Sequence, residues 1–180
     1  MPIEVAVADE QSAREVDCGR WAALAEATVR AEQVGEDVEL AVRFVDEETI
    51  AELNERFLGH PGPTDVLSFP IEDPLEPAPS PAALGRGRQA GGGGQSSPTA
   101  PGEPPLLLGD VVICPEVAWR NAPEHAGSYD EELALLLVHG ILHLLGMDHE
   151  LEVEAQAMEA REQELLARWR ATPGGGAKPA

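Results

Sequence analysis

Short stretches of alternating hydrophobic and polar residues recur along the chain, and this period of two predicts β-strands. Segments 3–8 and 38–45 alternate in this way, and the apolar segments 65–70 and 106–114 also have strand character. The pattern therefore predicts three or four short strands. Their order in a sheet does not follow from it.

Between these strands, hydrophobic residues recur every three or four positions, which is the spacing of one helix face. The predicted helices are 17–33, the segment after Asp46, 115–122, 129–145 and 151–170. Asp46 is a good helix N-cap, and Pro115 suits a first helical position, where no N–H partner is needed. The predicted core-facing residues are Trp21, Leu24 and Val29 in the first helix, Ile50, Leu53 and Phe57 in the second, and Val153, Met158, Leu165 and Trp169 in the last.

The segment 129–145 differs from the other predicted helices because it is apolar on nearly every face. Ser128 and Glu131 have the spacing of a capping box, which marks its start. Gly146 can adopt the left-handed conformation that ends a helix. A helix without a polar face is buried, so this segment is predicted to lie at the centre of the fold.

The domain organisation follows from a change in composition at 72–105, where Pro, Gly, Ala and Ser dominate. Such a segment cannot bury enough apolar surface to order itself, so we predict a disordered insertion in a single domain spanning 1–171. The tail 172–180 is predicted to be disordered as well. Strands interleaved with helices around the buried segment predict an α+β sandwich with a small mixed sheet, whose central helix carries the candidate site.

Composition narrows the function classes. The chain is 43% hydrophobic, has a formal charge of −21, and contains no apolar run of about eighteen residues, so we expect a cytoplasmic protein without a membrane partner. The negative charge counts against indiscriminate nucleic-acid binding, and no DNA partner is expected. Cys18 and Cys114 lack the spacing of a disulfide framework or a thiolate metal site and are predicted to be reduced core thiols.

Candidate chemistry is concentrated in the run HGILHLLGMDH at 139–149. His139 and His143 lie four residues apart, so a helix places both imidazoles on one face, close enough to share a metal ion. After the turn at Gly146, His149 can supply a third nitrogen and leave the fourth tetrahedral position open. The pattern therefore predicts one Zn²⁺ ion at a catalytic site.

The spacing of the three histidines equals that of the metzincin proteases, HExxHxxGxxH, with one difference. Gly140 occupies the position of the glutamate that acts as general base in those enzymes. A peptidase of that type is therefore disfavoured. Zinc could still activate water and neutralise charge on a phosphoryl oxygen, so phosphodiester hydrolysis is compatible with the motif.

Three blocks of this sequence resemble the YbeY endoribonucleases, which are rRNA maturation factors. They are the HGxLHLxGxDH run at 139–149, PTDVLSFP at 63–70 and LGDVVICPE at 108–116. The resemblance implies a zinc-dependent, single-strand-specific endoribonuclease that acts in 3′-end maturation of small-subunit (16S) rRNA and in ribosome quality control. It assigns His139, His143 and His149 as zinc ligands at the catalytic site. The implied partners are rRNA and the small ribosomal subunit, together with ribosomal proteins.

One position departs from the family pattern. Many members carry an arginine, expected to meet RNA phosphate, where this chain has Leu58. Arg56 lies two residues earlier and would point elsewhere on a helix, so it is only a candidate substitute.

Other polar residues of the resembling blocks have open roles. Asp65 and Asp110 lie at the edges of predicted strands, where each could orient a ligand histidine or simply shape a turn. Thr64 and Ser68 could meet phosphate or hold backbone, and the second use is favoured. His60 and His125 fall in predicted loops and are not assigned to the site.

Two alternatives to the endoribonuclease hypothesis stay open at this point. In the first, the protein binds ribosomal proteins during ribosome assembly, and zinc only stabilises the fold. The second is the zinc peptidase, which Gly140 disfavours.

Overall fold

A computed structural model describes residues 3–35, 37–71, 105–147 and 150–175. Its strands are β1 (Ile3–Asp9), β2 (Val38–Phe44), β3 (Val66–Pro70) and β4 (Leu106–Ile113). Its α-helices are α1 (Cys18–Ala31), α2 (Glu47–Leu58), α3 (Pro115–Asn121), α4 (Tyr129–Leu144) and α5 (Glu152–Ala171). All four predicted strands and all five predicted helices are confirmed.

The four strands form one mixed sheet in the order β1-β2-β4-β3. β1, β2 and β4 run parallel, while β3 pairs antiparallel with β4 at one edge. Pro70, which cannot donate a ladder hydrogen bond, ends this edge strand, where such a donor is least needed. The α+β class with a small mixed sheet is confirmed.

Helices cover the two faces of the sheet unequally. The inward residues of β2, Val38, Leu40, Val42 and Phe44, are buried in one large core that also contains residues of α1, α4 and α5. On the opposite face, a smaller cluster joins Ile50 of α2 to residues of β3, β4 and α3. The histidine-bearing helix and α2 therefore pack on opposite sides of the sheet.

α4 is buried along most of its length, as predicted. Ser128 Oγ accepts a hydrogen bond from Glu131 N at 3.2 Å, which caps its first turn. At the other end Gly146 adopts φ +92°. Its N–H donates to the His143 carbonyl, and Met147 N donates to the Leu142 carbonyl, each at 3.0 Å. These bonds form a Schellman motif, so the chain leaves the helix immediately after the histidine pair.

α4 approaches the sheet closely at Gly140. A Cβ atom there would lie 2.6 Å from Val111 Cγ1 and 3.2 Å from Ser68 Oγ. Ser68 Oγ also donates to the Gly140 carbonyl at 2.9 Å. The absent side chain is thus what lets the helix backbone rest against β3 and β4.

Two predicted core positions are wrong. Phe57 is 51% exposed, although its ring meets the Phe69 ring edge-on with centroids 5.2 Å apart. One turn earlier on α2, Asn54 is buried and donates to the Gly62 carbonyl at 3.0 Å, so this end of the helix packs on a polar turn. Val153 is 78% exposed because it lies five residues from buried Met158, about 140° around the helix.

The cysteines differ in burial. Cys114 is fully buried, as predicted, and burial raises the pKa of its thiol. Cys18 is only half-buried at the start of α1, so its assignment to the core is wrong.

The predicted insertion lies outside the described residues except for Pro105. Of the predicted tail, residues 172–175 form a turn, and the Gly175 carbonyl accepts a hydrogen bond from Arg20 of α1. No helix of the described ranges is long and apolar enough to cross a membrane.

The contact at Gly140 leads to a stability prediction. We expect Gly140→Ala to destabilise the fold by about 1–3 kcal/mol, because the new methyl group overlaps Val111. In an unobstructed helix the same change is stabilising, by up to about 1 kcal/mol. Urea unfolding of the full chain measures the difference.

Gly19→Ala in α1 is the matched control, since a Cβ there meets its nearest atom at 3.6 Å, an ordinary contact. We expect it to leave the free energy of unfolding unchanged or to raise it by up to about 1 kcal/mol, as in an unobstructed helix. Equal stability of the two glycine variants would contradict a packing role for Gly140.

Candidate metal centre

His139 and His143 lie near the C-terminal end of α4 and face each other. Their Nε2 atoms are 3.0 Å apart, and the two rings meet edge-on with centroids separated by 4.5 Å. The i,i+4 spacing accounts for the shared face, and the burial of α4 fixes the helix that carries it. The structure therefore brings together two of the three predicted ligands.

The pair has the geometry and chemistry of a zinc half-site. Two nitrogens bound to one tetrahedral zinc at about 2.0–2.1 Å lie about 3.3 Å from each other, close to the separation found. His149, the predicted third ligand, lies outside the described residues. Within the described part of the chain, no group of three His, Cys, Asp or Glu side chains is placed to hold a metal ion. Zinc binding by the three histidines thus stays a prediction.

Glu162 of α5 joins this site and was not among the residues predicted for it from the sequence. Its Oε1 lies 2.5 Å from His139 Nδ1, and the residue is only 7% exposed. A signal was present: Glu162 falls between Met158 and Leu165 at helical spacing, so an acidic residue occupies the buried stripe of α5.

A cleft of about 630 Å³ opens beside His139 and Glu162. Its walls come from α4, α5, the start of β3 and the segment that precedes α4, and they combine apolar with acidic side chains. The acidic lining residues are Asp65, Glu131, Glu159 and Glu162. Its one arginine, Arg170, is paired with Glu131, so the cleft has no uncompensated positive side chain among its described lining residues.

His125 also lines this cleft, although its position in a predicted loop did not point to the site. Its Nδ1 lies 2.9 Å from both carboxylate oxygens of Glu132, a fully buried residue in the first turn of α4. Ala126 N donates to the same carboxylate at 3.1 Å. Glu132 therefore fastens the segment before α4 to the helix.

Asp65 and Thr64 shape the start of β3. Asp65 Oδ1 accepts from Val66 N at 2.8 Å and from Thr64 Oγ1 at 3.3 Å. The carboxylate also borders the cleft, but its hydrogen bonds to Val66 and Thr64 stay within its own turn. This supports the turn role over the orientation of a ligand histidine. Ser68 likewise holds backbone, through its bond to Gly140.

Asp110 lies away from the histidines. It borders a shallow hollow on the open face of the sheet, together with Glu39 and Ala41 of β2. Its negative charge contributes to a raised pKa of the Arg43 guanidinium, whose main cause is the hydrogen bond to Glu10. The structure thus does not bring Asp110 to the candidate metal centre.

Arg56 is exposed in the last turn of α2, with its guanidinium 5.3 Å from the Phe57 ring centroid. Leu58, at the usual arginine position, is 51% exposed. Every other arginine in the described ranges forms an ion pair with a carboxylate: Arg14, Arg20, Arg30, Arg43, Arg120, Arg161, Arg168 and Arg170. Arg56 forms none there and keeps its charge available.

A solved structure has the same fold. The chain matches the solution structure of a Thermotoga maritima protein with a TM-score of 0.52 over 98% of both chains. The two sequences are 23% identical, so this likeness is evidence for the fold alone.

Sequence relatives are more similar. Proteins named Endoribonuclease YbeY from Thermobifida fusca and Salinispora tropica are 42% and 41% identical to this chain. The first alignment covers 94% of this chain and 95% of the relative, and the second covers 96% and 98%. The family model described as Endoribonuclease YbeY matches residues 6–170. Because the similarity extends over nearly the whole chain, and because the histidine pair is in place on its buried helix, the chain belongs to the YbeY endoribonuclease family.

Proposed function

We propose that this protein is a zinc-dependent, single-strand-specific endoribonuclease that matures the 3′ end of small-subunit rRNA and acts in ribosome quality control. The observation that carries the proposal is the pair of facing Nε2 atoms of His139 and His143, 3.0 Å apart on a buried helix. The name endoribonuclease, which its relatives bear, supports the reaction class. The proposed partners are rRNA, the small subunit and ribosomal proteins in the cytoplasm.

In this proposal His139 and His143 hold the zinc ion together with His149. When bound, zinc supplies charge neutralisation for a phosphodiester oxygen and a water molecule acidic enough to ionise near neutral pH. The helix holds the two imidazoles facing each other before RNA binds. Little conformational entropy of these side chains is therefore lost when the reaction takes place.

Gly140, directly after His139, argues against a peptidase. A glutamate at 140 would have to fit where even a Cβ atom lies 2.6 Å from Val111 Cγ1. The helix therefore cannot present the protease general base at this position without moving away from the sheet.

The charge distribution supports a metal-dependent contact with phosphate. The cleft beside His139 is acidic, and the chain as a whole carries a formal charge of −21. Long-range attraction of a polyanion is absent, so the RNA must be held by local cations. Zinc and Arg56 are the two that we propose.

Removal of a ligand tests the zinc dependence. We expect His143→Ala to lose bound zinc and about 100-fold or more of the cleavage rate on labelled single-stranded RNA, since several kcal/mol of charge stabilisation disappear. Zinc content by elemental analysis and cleavage by gel measure the two effects. A chelator should abolish cleavage by the unsubstituted protein, and added zinc should restore it.

His60→Ala is the control, because His60 is exposed in the turn between α2 and β3. We expect it to retain zinc and activity. If His143→Ala stays folded and cuts RNA at the original rate, the proposal is wrong. Unfolding of His143→Ala, with no cleavage by the zinc-loaded unsubstituted protein, would favour the ribosome-assembly alternative.

Arg56 gives a second test through salt dependence. We expect Arg56→Ala to weaken binding of single-stranded RNA. We also expect the slope of log K against log salt concentration to fall in magnitude by about 1, which corresponds to the loss of one phosphate contact. Fluorescence anisotropy at several salt concentrations measures this slope. Arg30→Ala, which removes a surface charge already paired with Glu26, should leave the slope unchanged. Equal slopes for both variants would remove Arg56 from the RNA contact.

A further inference from the structure

We infer that Glu162 is the positioning residue of the metal centre: it orients His139 and selects the tautomer that can bind zinc. The inference rests on the proposed zinc site and extends it from α4 to α5. Glu162 Oε1 lies 2.5 Å from His139 Nδ1, while Nε2 of the same ring faces His143.

The two ring nitrogens of His139 then have different roles. A neutral imidazole carries one proton, and a carboxylate at Nδ1 can only accept it. The proton is therefore placed on Nδ1, and the Nε2 lone pair is directed toward the shared point with His143. This carboxylate–histidine arrangement fixes the orientation of a metal ligand and strengthens its donor atom.

The burial of Glu162 is an independent sign of this role. Its neighbours on the inner face of α5 are Met158, Leu165 and Leu166, all nearly fully buried. A carboxylate at such a position is costly unless it is hydrogen-bonded, and a leucine would pack there without that cost. Within the described ranges, the hydrogen-bond partner of Glu162 is His139.

A second buried acid, Glu132, has a purely structural role and serves as a comparison for Glu162. Its carboxylate accepts a backbone hydrogen bond from Ala126 and meets the exposed His125, and so it holds a loop. Glu162 instead meets a side chain that is itself aimed at the candidate metal position. The contact also joins two helices, since 23 residues separate Glu162 from His139.

Glu162→Gln is the direct test because it keeps the size of the side chain and removes the obligatory acceptor. The amide can donate to Nδ1 and thereby stabilise the wrong tautomer, with the proton on Nε2. We expect zinc affinity to fall about 10- to 100-fold, measured on the full chain by competition with a chromophoric chelator. With Co²⁺ as a probe, we expect an altered ligand-field spectrum.

Glu164→Gln is the matched control on the same helix, because Glu164 is exposed and its ion-pair partners in the described part of the chain are Arg161 and Arg168. Its zinc affinity should equal that of the unsubstituted protein. Glu162→Leu adds a variant that keeps the apolar packing of α5. We expect it to fold in the presence of chelator and to show the same loss of zinc affinity.

The outcomes separate this inference from the proposed function. If His143→Ala loses zinc while both Glu162 variants bind it as tightly as the unsubstituted protein, the zinc site stands and the role of Glu162 is wrong. If the unsubstituted protein binds no zinc, both proposals fall. Reduced affinity in both Glu162 variants, with unchanged apo stability in Glu162→Leu, supports the positioning role.

Discussion

The contact between α4 and the sheet at Gly140 is the constraint on which the candidate site depends. With no side chain at 140, the helix backbone rests on Val111, and Ser68 ties the Gly140 carbonyl to β3. His139 immediately precedes Gly140 in the chain, so its position is set by this contact. A tight core transmits such a constraint because it has little free volume to absorb a shift. The glycine that replaces the protease base is therefore also a packing requirement.

Two buried carboxylates connect α4 to the segments that surround it. Glu132, at the start of the helix, secures the preceding loop. Glu162, on α5, meets His139 near the other end. Both are acids in apolar surroundings, where a lone charge would be expensive, and both are compensated by hydrogen bonds. Each thus fastens a neighbouring segment to the central helix, but only the second does so at a histidine of the candidate metal centre.

Features that depend on residues close together in the sequence, such as helix caps and the spacing of side chains on one helix, could be predicted from the sequence. The start of α4 at Ser128, its end near Gly146 and the shared face of His139 and His143 all follow from spacing and capping. The sheet order did not follow, because β2 pairs with β4 across a long insertion. Phe57 and Val153 were misplaced because both lie where their helix extends past the buried core, and periodicity does not encode where the core ends. Glu162 was missed since its partner lies on another helix, and His149 stays a prediction.

The pairing of nearly every described arginine with a neighbouring carboxylate also bears on how fast the protein meets its proposed substrate. Paired arginines add little to the long-range field, so approaching RNA encounters mainly the surplus of acidic groups. Salt screens this repulsion over a Debye length of about 8 Å at physiological ionic strength. Moderate salt should therefore speed the encounter with RNA even while it weakens each phosphate contact once formed. Such opposing effects distinguish an acidic RNA-binding protein from the usual basic one, whose association and affinity both fall as salt is added.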